Sequence, residues 1–148
     1  MIGRLAAVAV LLAGLPARAD AACTVSSSSV IFGAYNVFAT SDTTSTGTVT
    51  YQCGNADHDI SVSLSKGSST GYASRTLMKG SESLNYNLYL DAAFSTICGD
   101  GTGGTGTYST HNPPNGADVN LTIYGRITAM QDVSAGSYTD TIVVTVNF

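Results

Sequence analysis

Two glycine-bracketed runs, three cysteines and two histidines carry most of the side chains with the potential for chemistry. Gly67-Ser68-Ser69-Thr70-Gly71 spells G-x-S-x-G, the spacing that exposes a nucleophilic serine when a strand turns sharply into a helix. Tyr72-Ala73-Ser74-Arg75 follows with no helical face, so Ser69 reads as a loop residue. Gly99-Asp100-Gly101-Thr102-Gly103-Gly104 spells G-x-G-x-x-G, which holds a pyrophosphate only if its third glycine opens a helix. Thr105-Gly106-Thr107-Tyr108 supplies no helix, and a flexible loop with glycines at positive φ is expected instead. His58 and His111 are far apart, and neither has a second ligand at metal-binding spacing. Asp100 lacks the several oxygen partners calcium requires. The Asn120-Leu121-Thr122 sequon falls inside a strand pattern that already explains both polar residues. No catalytic, cofactor-binding or metal-binding residue is assigned, and a non-enzymatic protein is expected.

The amino terminus bears on where the cysteines act. Arg4, the apolar run Leu5 to Leu15, Pro16 and the small-residue stretch Ala17 to Ala21 follow the order of a secretory signal peptide over 1–21. The run is shorter than the roughly 20 apolar residues that span a bilayer, so the chain is expected to be exported without a transmembrane segment. In an exported chain three cysteines suggest one disulfide and one leftover thiol. Cys23 opens the first strand and Cys53 closes the second, which favours that pair. Such a bridge closes a loop of roughly 30 residues and stabilises by about 3 to 4 kcal/mol. A lipid-modified Cys23 is the competing reading, suggested by Ala21 and Ala22 and opposed by Asp20. Cys98 is expected to be a small buried hydrophobe.

Composition narrows the partners. The chain has 6 basic and 10 acidic residues, a formal charge of -4, which disfavours binding to a phosphate backbone. Charged residues make up 11%, well under the usual quarter, and Ser, Thr, Asn and Gly occupy the polar positions. Neutral hydroxyl rows suit strands, since they do not repel across a ladder.

The elements that must position these residues have the period of β-structure. Val49, Tyr51 and Cys53 alternate with polar neighbours, as do Ile60, Val62 and Leu64, then Leu84, Tyr86, Leu88 and Leu90, then Val119, Leu121, Ile123 and Ile127. Gly54-Asn55, Lys66 to Gly71, Gly80-Ser81, Gly99 to Gly116 and Ala135-Gly136-Ser137 mark the turns. With a first strand near Thr24 to Ala34, six or seven strands are expected in one antiparallel sandwich over 22–148. The Gly99 to Gly116 stretch is a loop or a loop holding a short edge strand. From Tyr138 to Phe148 the chain alternates again, with Ile142, Val144, Val146 and Phe148 on one face. That strand ends without a following hairpin partner, so a neighbour from elsewhere is expected, pointing to assembly rather than catalysis.

Several runs resemble the spore coat protein U domain family: Cys23-Thr24-Val25, Val30 to Tyr35, Leu84 to Ala93, Gly99 to Gly104, Tyr124-Gly125-Arg126-Ile127, Gln131 to Tyr138 and Val144 to Phe148. The resemblance spans 22–148 and extends to pilin subunits of archaic, Csu-type chaperone-usher fimbriae. It implies an incomplete immunoglobulin-like β-sandwich lacking its last strand, with a groove lined by Val30, Phe32, Ile142, Val144, Val146 and Phe148. A periplasmic pilus chaperone would fill this groove first, and a neighbouring pilin subunit would follow at the outer-membrane usher. A surface fibre or spore-coat-like layer supporting adhesion or biofilm is the implied role. Two features depart from the family. With cleavage after Ala19 or Ala21, at most Asp20, Ala21 and Ala22 precede Cys23, which implies a subunit that accepts a strand and donates none, at a fibre's distal end or in a coat that never polymerises. Cys98 stands where relatives are expected to carry Trp. The alternative is a self-sufficient secreted sandwich binding a carbohydrate or surface partner through Tyr72 and Tyr108.

Overall fold

A computed structural model describes residues 23–54 and 59–148. The expected signal peptide, the Asp20-Ala21-Ala22 lead and His58 lie outside the described residues. Among the described residues strands account for all the regular structure: β1 (Cys23–Ser27), β2 (Thr43–Cys53), β3 (Asp59–Leu64), β4 (Arg75–Lys79), β5 (Glu82–Tyr89), β6 (Tyr108–His111), β7 (Asp118–Ile127) and β8 (Val144–Asn147). They form a five-stranded sheet in the order β1-β2-β7-β5-β4 and a three-stranded sheet in the order β6-β3-β8, with every ladder antiparallel. The protein is an all-β sandwich.

The alternation read from the sequence decides which faces meet. Val49 lies opposite Leu121 in the β2–β7 ladder, and Tyr86 lies opposite Ile127 between β5 and β7. These residues pack against Ile60, Val62 and Leu64 of β3 in one buried cluster. The opposite face of β2 carries Thr44, Thr46, Thr48 and Thr50 toward solvent. The Cys23–Cys53 disulfide forms across the β1–β2 register and fixes the edge strand to the sheet. Cys98 is unpaired and fully buried, and burial pushes its thiol up to about 11.

The first strand and β4 differ from the alternation reading, and the Gly99 to Gly116 stretch takes one of its two expected forms. The first strand stops at Ser27, because Ser28 to Asn36 leaves the ladder. The Gly99 to Gly116 stretch holds the short edge strand β6, with Gly101, Gly103 and Gly104 at positive φ. An eighth strand, β4, lies where no alternation marks it. Arg75 opens β4 on the buried side and is 0% exposed. Its Nε and Nη2 donate to Ser65 O at 3.0 and 2.9 Å, Nη1 to Asn87 Oδ1 at 2.7 Å, and Nη2 to Cys98 O at 2.7 Å. The guanidinium thus joins three separate chain segments at one point, and its desolvation lowers its pKa from the ordinary value.

Replacing Arg75 with Leu would leave the Ser65 and Cys98 carbonyls without a donor in a closed interior, where each orphan costs about 1–3 kcal/mol, and would leave Asn87 Oδ1 with Leu88 N alone. The expected loss is about 3 to 5 kcal/mol of unfolding free energy, measurable by urea denaturation at unchanged m-value.

Candidate functional site

Two stretches of chain leave their sheets and face each other across a gap. The first runs from Ser28 to Asn36. Ser28 N still donates to Thr48 O at 2.8 Å, after which the backbone N–H groups of Ser29 to Asn36 have no acceptor among the described residues. The stretch crosses the inner face of β2 and β7 where both strands carry glycine. A Cβ on Gly125 would sit 2.6 Å from Val30 Cγ1 and 2.7 Å from Phe32 Cζ, and one on Gly47 would sit 2.8 Å from Val30 Cγ2. Glycine is needed here for close approach. Phe32 meets the Tyr86 ring edge-on with centroids 5.9 Å apart. Tyr35 ends the wall, its hydroxyl donating to Thr128 O at 3.1 Å and accepting from Gln131 N at 2.8 Å.

The second stretch is the C-terminal run, which changes sheets within a few residues. Thr139 exchanges two backbone hydrogen bonds with Met78 of β4, at 2.7 and 3.0 Å. Asp140 then makes the crossing: Oδ1 accepts from Ser68 N, Ser68 Oγ and Thr141 N, and Oδ2 accepts from Tyr86 Oη at 2.8 Å. From Val143 onward the run pairs with β3, starting with Ser65 N donating to Val143 O at 2.9 Å. Antiparallel alternation then turns Val143, Thr145 and Asn147 toward β3 for hydrogen bonding. The backbone groups of Ile142, Val144 and Val146 project from the opposite edge, where β8 has no hydrogen-bonded neighbour among the described residues.

Between these walls lie two adjoining cavities. The smaller, about 220 Å³, is lined by Val30, Phe32, Leu88, Ile123, Ile142 and Val144 among others. The wider, about 850 Å³, continues past Phe32 to Leu84, Ile127, Val133 and Tyr138. Lys79 and Glu82 anchor the 134–138 side. Glu82 Oε2 accepts from Ser134 Oγ and Tyr138 Oη, each at 2.5 Å, and these bonds hold its carboxyl down to about 2, with Lys79 assisting. Lys79 Nζ contacts Ser134 Oγ, donates to Ala135 O at 2.8 Å and lies 5.6 Å from the Tyr138 ring centroid.

Of the residues assigned to a groove from the sequence, Val30, Phe32, Ile142 and Val144 surround the smaller cavity. Val146 lies further along β8 opposite Val62 and packs against the core, while Phe148 follows the strand and is 57% exposed. Gly47, Gly125 and Asp140 were not singled out. Glycine at apolar positions of an alternating pattern was the available signal for the first two, whereas nothing local marks Asp140. Ser69 accepts from Thr76 N at 2.8 Å and meets Thr76 Oγ1 at 3.1 Å, tying its loop to β4. His111 pairs with Asp59 at the surface. No group of three or more metal-ligating side chains occurs among the described residues. Tyr108 Oη meets Tyr51 Oη at 3.3 Å, and Tyr72 lies beneath the Arg75 guanidinium, 5.2 Å away.

A two-sheet sandwich with facing walls of this kind places the molecule among immunoglobulin-like folds. The profile of the Spore Coat Protein U domain matches residues 7–145, and the chain belongs to that family. Among solved structures it is similar to a chain of the chaperone–tip adhesion subunit pre-assembly complex, CsuC–CsuE, from archaic chaperone-usher Csu pili of Acinetobacter baumannii. The TM-score is 0.62 at 22% identity, over 86% of this chain and 40% of that one. This chain therefore spans well under half the length of its structural neighbour. No curated protein matches it.

Gly125→Ala would push the new methyl into Val30 and Phe32, and strain of this kind costs about 1 to 3 kcal/mol. Thermal unfolding should register that loss, and Gly125→Ala combined with Phe32→Ala should recover part of it. Glu82 contributes stability that is full above its ordinary value of 4.5 and is lost as pH falls through about 2. The melting-temperature difference between the wild type and Glu82→Gln should accordingly stay constant above pH 5 and close between pH 4.5 and 2.

Proposed function

We propose that this chain is a structural subunit of a surface fibre of the archaic chaperone-usher type, non-enzymatic and completed by a strand supplied in trans. The observation that carries the reading is the pair of facing walls: the unbonded amides of Ser29 to Asn36 on one side and the one-sided strand β8 on the other, with an apolar cavity between. An extended segment laid between them satisfies both rows of backbone groups while its alternate side chains fill the cavity. Val30, Phe32, Ile142 and Val144 line that site, and Val146 and Phe148 extend it along β8.

Family membership supports the reading, as does the likeness to a structure from a chaperone–subunit complex. The proposed partners are a periplasmic chaperone during export, an outer-membrane usher during assembly, and neighbouring subunits in the fibre. Export by a signal peptide over 1–21, display at the cell surface and a role in adhesion or biofilm belong to the same proposal. An exposed apolar edge aggregates unless it is covered, which gives the chaperone its physical purpose. The contrasting reading, a self-sufficient binding module using Tyr72 and Tyr108, is less favoured because both side chains have partners within the fold.

The isolated protein should gain stability by mass action from a synthetic peptide of alternating Val and Thr. At a free concentration about one hundred times Kd the gain is about 2.7 kcal/mol, or about 10 °C in melting temperature for a domain of this size. A well-folded monomer whose melting temperature ignores the peptide would contradict strand acceptance.

A further inference from the structure

Each wall exposes one large aliphatic side chain beside the cavity, while Phe148 stands apart at the end of the C-terminal wall. On the C-terminal wall Thr141, Thr145 and Asn147 are exposed and polar, whereas Val143 is 61% exposed. On the other wall Ser29, Gly33 and Ala34 flank Ile31, which is 75% exposed. Ile31 and Val143 stand at one level. Val30 and Phe32, on either side of Ile31, line the same cavity as Ile142 and Val144, on either side of Val143. An exposed surface otherwise made of small and polar residues thus presents a large aliphatic side chain at the same height on both sides of the gap. The Ile31 carbonyl is held by Ser45 Oγ at 2.7 Å, which fixes that position on its wall.

Resting on the strand-acceptance reading, we propose that the strand taken by this groove carries a large aliphatic side chain on its solvent face, seated between Ile31 and Val143. Hydrogen-bonded strands lie about 4.8 Å apart, so one inserted strand separates the two walls by roughly 10 Å, too far for Ile31 and Val143 to cover each other. A single side chain on the middle strand reaches both at the usual cross-strand distance of about 4.5–5.5 Å. A Thr or Lys there leaves two large apolar side chains uncovered at the centre of a newly completed sheet. The partner is therefore an extended segment with three consecutive apolar residues at this level, two facing the core and one between them facing out. Core-facing residues decide whether a strand enters, and this outward residue ranks the strands that do.

The test compares three synthetic peptides on the intact protein. The parent alternates Val on the core face with Thr on the solvent face, and the others replace one central solvent-facing Thr with Val or with Lys. Because the core-facing positions are identical, a peptide can slide by two residues until its altered side chain meets Ile31 and Val143. The Val peptide should bind about fivefold more tightly than the parent, as two added cross-strand contacts imply, and the Lys peptide no better than the parent. In the double variant Ile31→Thr/Val143→Thr the ratio of Val-peptide to parent-peptide affinity, both measured on that variant, should fall below about twofold. Equal binding of all three peptides to the wild type, or a Val advantage that survives in the double variant, would overturn the inference while leaving strand acceptance standing. Binding by none of the peptides would overturn strand acceptance and the inference together.

Discussion

A strand edge whose backbone N–H and C=O groups have no partner is a template for another strand, and one wall of this molecule carries a run of such N–H groups. From Ser29 to Asn36 the chain lies against the apolar inner face of β2 and β7 with no ladder partner, while β8 pairs on one side alone. Both edges lack a partner, and Val30, Phe32, Leu88, Ile123, Ile142 and Val144 line the gap between them together with Thr48 and Asp140. The remaining features of the fold hold these two edges apart.

Both walls are pinned at several points by polar or covalent contacts, with apolar packing between. The Cys23–Cys53 bond secures the start of the first wall to β2, and the Tyr35 hydroxyl secures its end to Thr128 and Gln131. On the other side Asp140 gathers Ser68, Thr141 and Tyr86 at the point where the chain passes from one sheet to the other. Arg75 binds together the segments around Ser65, Asn87 and Cys98 behind it. Polar anchors set positions more strictly than apolar contacts because their geometry is directional. A cavity kept open between fixed walls is preorganised for an occupant, which lowers the ordering cost of binding.

How much of this could be read from the residues depended on how local each cause was. Alternation marked β2, β3, β5 and β7, because each buries one face against a single core and period two records that directly. The family resemblance named Val30, Phe32, Ile142 and Val144 together as groove residues, whereas alternation by itself placed only Ile142 and Val144 on a common face. Alternation missed β4, whose Arg-Thr-Leu-Met-Lys sequence places a cation at a buried position that only Ser65, Asn87 and Cys98 make tolerable. It ran the first and last strands too far, because the alternation of Ser137 to Phe148 continues unbroken across the sheet change at Asp140. That change is made by Ser68 and Tyr86, each more than fifty residues away in sequence. Gly47 and Gly125 were visible as residues, but their purpose becomes apparent only once Val30 and Phe32 are placed on them.

The central claim is that two half-bonded edges await one strand, and amide hydrogen exchange tests it residue by residue. The account predicts rapid exchange for Ser29 to Asn36 and for Ile142, Val144 and Val146 in the protein alone, against slow exchange for Val49 and Leu121 in the β2–β7 ladder. Adding an alternating apolar peptide should slow the first group on both walls together. Strong protection of those amides in the protein alone, unchanged by peptide, would contradict the account.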